Sequence, residues 1–107
     1  MDTASLTELV DTRLTQARAS TSGRSASTVF AGQRLRQTLM ALAAGQELAE
    51  HDSPGEATLQ VLHGQVRLAT AESAVEGTAG DLLVIPPARH RLEALADSAV
   101  LLTVVID

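Results

Sequence analysis

Cysteine, tryptophan, tyrosine and lysine are all missing from this chain of 107 residues, and Phe30 is its one aromatic residue. Without cysteine there is no disulfide framework, no thiolate metal site and no cysteine nucleophile. Without aromatic faces, recognition of bases or sugars by stacking has nothing to build on. The core must be assembled from Leu, Val, Ile and Ala. The net charge of −5 is opposite in sign to that of a nucleic-acid binder. No phosphate-binding glycine motif of the P-loop or dinucleotide type occurs, so no nucleotide cofactor is expected. No charged-then-apolar leader opens the chain and no apolar run approaches membrane-spanning length. The expectation is a cytoplasmic protein with neither nucleic acid nor a membrane as partner.

What is present suits one small globular domain. Apolar residues make up 45% of the chain, enough for a core, although one of this size is marginal. All eight basic residues are Arg, and they are unevenly spread. Residues 1–36 carry five Arg against Asp2, Glu8 and Asp11, a net of +2, whereas residues 37–107 carry three Arg against ten acids, a net of −7. A solvated surface explains this, and so does a basic N-terminal arm packed on the acidic remainder, within the chain or across a dimer.

The periodicity divides the chain in two. Leu6, Leu9, Val10, Leu14 and Ala17 recur at helical spacing. Ser5, followed by Glu8 three residues later, fits a capping box. Residues 19–28 are small and polar and read as a linker. This gives an N-terminal helix and linker over 1–28 and a β domain over 29–107. Within the β domain, strands are expected at 28–30, 34–42, 58–62, 65–68, around Val75, and at 82–85, 90–95 and 100–106. Turn signals separate them, and no crossover helices interrupt them, which excludes a parallel sheet. Antiparallel strands at such close intervals indicate a sandwich or barrel. The continuous apolar runs at 82–85 and 100–106 predict strands covered on both faces, by the helix or by a second subunit.

Two of these units carry a histidine beside a turn. One runs from Gly45 through His51 and Ser53-Pro54-Gly55 to Gly64, and the other from Gly80 through Pro86-Pro87 to His90. Their spacing resembles the two motifs of the cupin family, small double-stranded β-barrels of jelly-roll type, over residues 34–106. The first cupin motif runs Gly, five residues, His-x-His, three or four residues, Glu, six residues, Gly. Gly45, His51 and Gly64 fall in register with it, whereas Ser53 takes the second His position and Ala57 the Glu position. The second motif runs Gly, five residues, Pro-x-Gly, two residues, His. Gly80 and Pro86 match, Ala88 replaces the Gly, and strict counting puts Arg91 at the His position. A loop one residue shorter puts His90 there instead. The resemblance implies an all-β, cupin-like jelly-roll β-barrel with an N-terminal α-helix.

The resemblance also implies a metal site of three His and one Glu, of which this chain retains His51 and His90. Strand parity supports His90, because it shares a face with Leu92 and Ala94 while Arg91 and Glu93 take the other. Glu56 is the candidate third ligand. By parity it points outward with Thr58 and Gln60, unless a bulge beside Pro54-Gly55 turns it inward. His51, His90 and Glu56 would together suit an exchangeable divalent transition metal such as Zn, Ni, Fe or Mn, released on acidification because imidazole must be neutral to ligate. The plain alternative is two barrel-mouth histidines that hold no metal.

Other chemistry has less support. His63 lies in a turn and is expected to be exposed. Ser53 beside His51 has no orienting acid. Arg36, Arg67, Arg89 and Arg91 are each candidate anion holders. The leading reading is a cupin that binds an unidentified small molecule, with an eroded metal site, acting as a binding or sensing module and forming a homodimer. A metal-dependent enzyme using His51 and His90, such as a small dioxygenase or isomerase, is one alternative. A regulatory protein acting through its N-terminal arm is another.

Overall fold

A computed structural model describes residues 1–51 and 55–106 of the chain. Helix α1 (Leu6–Ala19) is followed by nine strands: β1 (Arg24–Ala31), β2 (Leu35–Leu42), β3 (Glu47–His51), β4 (Ala57–His63), β5 (Gln65–Ala69), β6 (Ala74–Thr78), β7 (Leu82–Val84), β8 (His90–Ala94) and β9 (Ser98–Val105). β1 begins at Arg24, inside the stretch expected to be a linker, and β3 was not expected. The segment that forms β3, Glu47 to His51, is rich in Glu, Leu and Ala, which favour helix over strand. Its pairing with another strand therefore overrides its local preference. Among the described residues, no helix is long and apolar enough to cross a membrane.

The strands form two antiparallel sheets, ordered β1-β2-β9-β4-β7 and β3-β8-β5-β6. Four ladders nest inside one another: β2 with β9, β3 with β8, β4 with β7, and β5 with β6. This is one long hairpin rolled up on itself, with its strands alternating between sheets, which is the jelly-roll arrangement. Apolar residues on the inner faces, including Leu42, Leu59, Val61, Val66, Leu68, Leu92 and Val100, fill the space between the sheets. Phe30 stays half-exposed, so the core is aliphatic.

Glycines mark the turns where backbones crowd. Gly64 has φ +82°, and a side chain there would run into the Asp97 carbonyl and Ser98. Buried Ser98 closes the same corner, its hydroxyl accepting from the Gln65 N–H at 3.1 Å. At Gly80 φ is +97°, and the Gly80 N–H donates to the Val61 carbonyl at 2.8 Å while the Val61 N–H donates to Asp81 O at 2.9 Å.

The helix begins where the Ser5 hydroxyl accepts from the Glu8 N–H, at 3.3 Å. It buries Val10, Leu14 and Ala17 against Leu39, Ala41, Ala99 and Leu101, on the outer face of β2 and β9. That cover accounts for the apolar run of β9. The run of β7 is different: Leu83 is buried, but Leu82 and Val84 are 61% and 73% exposed on the outer face. The basic arm does pack within its own chain, mainly through apolar contacts, with an ion pair between Arg18 Nε and Asp97 Oδ2 at 2.6 Å. The other oxygen of Asp97 accepts from the Ala44 N–H at 2.8 Å, so this carboxylate ties together the helix end and two turns.

Two outcomes follow from this packing. Leu14 is 3% exposed, and Leu14→Ala should cost about 3 kcal/mol by loss of transfer energy plus the cavity left behind. A lower urea midpoint at unchanged m would show it. The Arg18 hydrogen bond, and then that of Ala44, holds the Asp97 carboxyl below its ordinary range. Its ionised form therefore stabilises the fold above about pH 4, and that contribution is lost as pH falls through the lowered folded value. Asp97→Asn should flatten the acid-side decline in stability, measured by urea midpoints from neutral pH downward. A profile parallel to wild type would refute the role given to Asp97.

Candidate functional site

His90 is set in place by the chain just before it. Pro86-Pro87 end the apolar run of β7, and the Ala88 N–H closes a turn onto the Pro86 carbonyl at 2.8 Å. The turn leaves the Ala88 carbonyl 2.9 Å from His90 Nδ1. A carbonyl oxygen only accepts, so Nδ1 carries a proton here. β8 then alternates as parity predicted. His90, Leu92 and Ala94 are buried, with His90 only 3% exposed, and Arg91 and Glu93 face outward.

The buried imidazole borders a chamber of about 110 Å³ between the two sheets. The other described walls are Met40, Leu48, Leu59, Leu68, Ile85, Leu92 and Leu102, all apolar. Among the described residues, His90 is thus the one polar side chain that faces this space, and no charged group does.

The backbone brings position 51 to the same place. β3 pairs Leu48 with Leu92 and His51 with His90. Three steps along β3 match two along β8, so the ladder contains a one-residue shift. With a regular ladder, Glu50 and not His51 would oppose His90. The side chain of His51 lies outside the described residues, as do Asp52, Ser53 and Pro54. Ser53 is the residue at the second motif His position, so its role falls outside the described residues too.

Glu56 is not among the described residues that border the chamber. It is exposed and borders an outer groove of about 560 Å³ with Thr58, Val84, Thr103 and Val105, which shares Ile85 with the chamber. Thr58, Thr103 and Val105 lie on the outer side of the five-stranded sheet, where parity put Glu56. Among the described residues, no three His, Asp or Glu side chains come together as a metal site. A catalytic metal usually takes three protein ligands and keeps an open position. The described donors at His90 do not meet that requirement.

The remaining candidates lie elsewhere. His63 is exposed, at the end of β4 near Leu6, Val10 and Asp11 of the helix. Arg67 and Arg91 bracket Glu93 at 3.9 and 3.0 Å on the outer face of the four-stranded sheet. Arg36 and Arg89 are exposed. None of the four arginines borders the chamber. Met40, Leu48 and Leu102 went unnoticed as site residues because apolar side chains in apolar runs look like ordinary core. Only the gap between the sheets distinguishes them.

No family model matches the chain, and no curated protein matches it. Solved structures do. An RmlC-like cupin protein from Desulfovibrio desulfuricans is 25% identical, with 98% of this chain and 96% of that one covered and a TM-score of 0.76. A conserved protein of unknown function from Streptococcus pyogenes is 28% identical over 82% of this chain and 78% of the other, with a TM-score of 0.73. Salicylate 1,2-dioxygenase from Pseudoaminobacter salicylatoxidans, solved in complex with gentisate, matches 91% of this chain with a TM-score of 0.77. This chain covers only 32% of that enzyme, at 20% identity, so the likeness there is one of fold.

Proposed function

Since this chain is a small cupin-family protein, we propose that it works as a binding or sensing module that takes a small molecule into the chamber beside His90. The observation that carries this is an interior space between the sheets that is bordered, among the described residues, by apolar side chains and one buried, oriented imidazole. Such a space can select a ligand by shape and by one polar contact. Among the described residues its lining includes neither the paired acid and base nor the full ligand set that most hydrolytic and metal-dependent chemistry requires.

A metal-dependent enzyme is the second reading, and two observations favour it. The Nδ1–H of His90 is fixed on a backbone carbonyl, the usual way a ligating histidine is oriented. The ladder also puts position 51 opposite it. In that reading His51 and His90 hold a divalent ion (Zn, Ni, Fe or Mn), which would supply Lewis-acid or redox chemistry. Glu56, in the outer groove, adds nothing to this set. The third reading, action through the N-terminal arm, gains no support from a helix whose apolar stripe is already buried on its own sheet.

We also propose a homodimer, formed through the outer face that the helix leaves bare. Leu82 and Val84 on β7, with Val105 on β9 and Leu35 on β2, expose apolar surface on one side of the same sheet. β7 is an edge strand of three residues without a charged side chain to blunt it. A second copy would give this face the cover that the apolar run implies.

Two measurements test these statements. The module reading predicts that, after chelation and reloading with Zn, Ni, Fe or Mn, wild type and His51→Ala/His90→Ala retain equal and substoichiometric metal. It also predicts that a small-molecule thermal-shift screen yields ligands that raise the Tm of wild type and not of His90→Leu. One metal per chain, lost in the double variant, would move the assignment to the enzyme. For the assembly, light scattering after size exclusion should give twice 11.2 kDa for wild type and a monomer for Val84→Glu. A monomeric wild type at micromolar concentration would remove the dimer.

A further inference from the structure

β7 closes one side of its sheet, and its backbone is arranged to accept a further strand. Given the homodimer proposed above, we infer that the two copies join edge to edge. Their β7 strands pair antiparallel about Leu83, so that two five-stranded sheets become one continuous sheet.

The ladder with β4 fixes where the backbone of β7 points. Leu82 lies opposite Gln60, Leu83 opposite Leu59 and Val84 opposite Thr58. Hydrogen bonds flank these pairs at odd positions. The Val61 N–H donates to the Asp81 carbonyl at 2.9 Å, and the Ile85 N–H donates to the Ala57 carbonyl at 3.1 Å. Hydrogen-bonded and non-hydrogen-bonded pairs alternate along an antiparallel ladder. Leu83 therefore also bonds to β4, and Leu82 and Val84 turn their N–H and C=O groups to the other side. No described strand lies there, because β7 ends the sheet. Two donors and two acceptors thus stand in line, one pair on either side of Leu83.

A second β7 matches this edge group for group. With Leu83 opposite Leu83 of the partner subunit, each Leu82 faces the partner's Val84, and each such pair exchanges two N–H···O bonds. Every outward backbone group of Leu82 and Val84 is then used in both copies, the self-complementarity that an isologous contact requires. The side chains agree with the backbone. Leu82 and Val84, 61% and 73% exposed, would each gain an aliphatic cross-strand neighbour. β7 itself carries no charge, and the acid before it, Asp81, is turned back to accept from the Thr78 N–H at 2.8 Å. Pro86 has no N–H to offer, so the pairing stops just beyond Ile85. β6 extends the contact. It is the edge strand of the other sheet and precedes β7 in the chain. Its Val75, 49% exposed, borders a groove of about 210 Å³ together with Val84. The apolar strip offered to a second copy therefore spans the edges of both sheets.

The test reads amide hydrogen exchange by NMR at one concentration where light scattering finds the dimer and one where it finds the monomer. The Leu82 and Val84 amides should exchange at least tenfold more slowly in the dimer, whereas the Leu83 amide, bonded to β4, should be slow in both. Val84→Pro removes one outward N–H from each copy and leaves the β4 ladder intact, a change that edge strands tolerate. It should weaken the dimer at least tenfold, and more than Val84→Ala, which trims the side chain but keeps the N–H. Leu82→Pro serves as a second variant should the first fail to fold. A dimer whose Leu82 and Val84 amides stay fast, or which Val84→Pro weakens no more than Val84→Ala, would overturn the edge pairing and leave a dimer stacked through the outer face. A monomeric wild type would overturn both and leave the edge to an extended segment of another protein.

Discussion

β9 has to be buried on both of its faces, and the rest of the molecule is arranged to achieve that. Its inner residues, Val100 and Val104, belong to the core between the sheets, and its outer residues, Ala99 and Leu101, would be bare without α1. Hydrogen bonds fix its edges as well, since it pairs with β2 on one side and β4 on the other. Once β9 is fixed, β2 and β4 are fixed beside it, and the nested ladders put β3 next to β8 and β5 next to β6. The helix is thus a structural lid on the sheet. Its register along that lid is set by apolar contact, with the Arg18–Asp97 pair at its end. An exposed pair of that kind is worth little by itself. Here it matters because the same carboxylate also receives the Ala44 N–H, so one side chain joins the helix to the turns that precede β3 and β9.

The site inherits its geometry from this scaffold at one irregular point. β3 is an edge strand, and its shift in register between Leu48 and His51 decides which residue stands opposite His90. A regular ladder would put an acid there. The shifted one puts a histidine there. A bulge costs ladder hydrogen bonds, and edge strands tolerate it because one side is already unpaired. The same strand contributes Leu48 to the chamber wall, so the position opposite the imidazole and the seam between the sheets lie within a few residues of each other.

How much of this could be read from the residues depended on the kind of signal. The glycine spacing was legible because it has a steric cause: Gly64 and Gly80 adopt positive φ where the chain must turn sharply, and at Gly64 another backbone fills the space a side chain would need. The inward face of His90 was legible because alternation with Leu92 and Ala94 leaves little choice. β3 was not, since a Glu, Leu and Ala run becomes a strand only through its partner, β8. The start of β1 at Arg24 was hidden for the same reason: small polar residues read as a linker, and pairing with β2 makes them a strand. The chamber walls were invisible because nothing in Met40, Leu48 or Leu102 distinguishes a residue facing a void from one facing a neighbour.

The replacement at the acid position of the motif agrees with the character of the described chamber walls. Ala57 stands where the family motif has a carboxylate, and here it is a buried wall residue of the core. An anionic side chain at that depth would need a compensating cation, and the arginines are all outside the chamber. An alanine at this position therefore suits the apolar packing around it, and that character continues along the described walls of the chamber. Among the described residues, His90 is then the one polar side chain that borders this space.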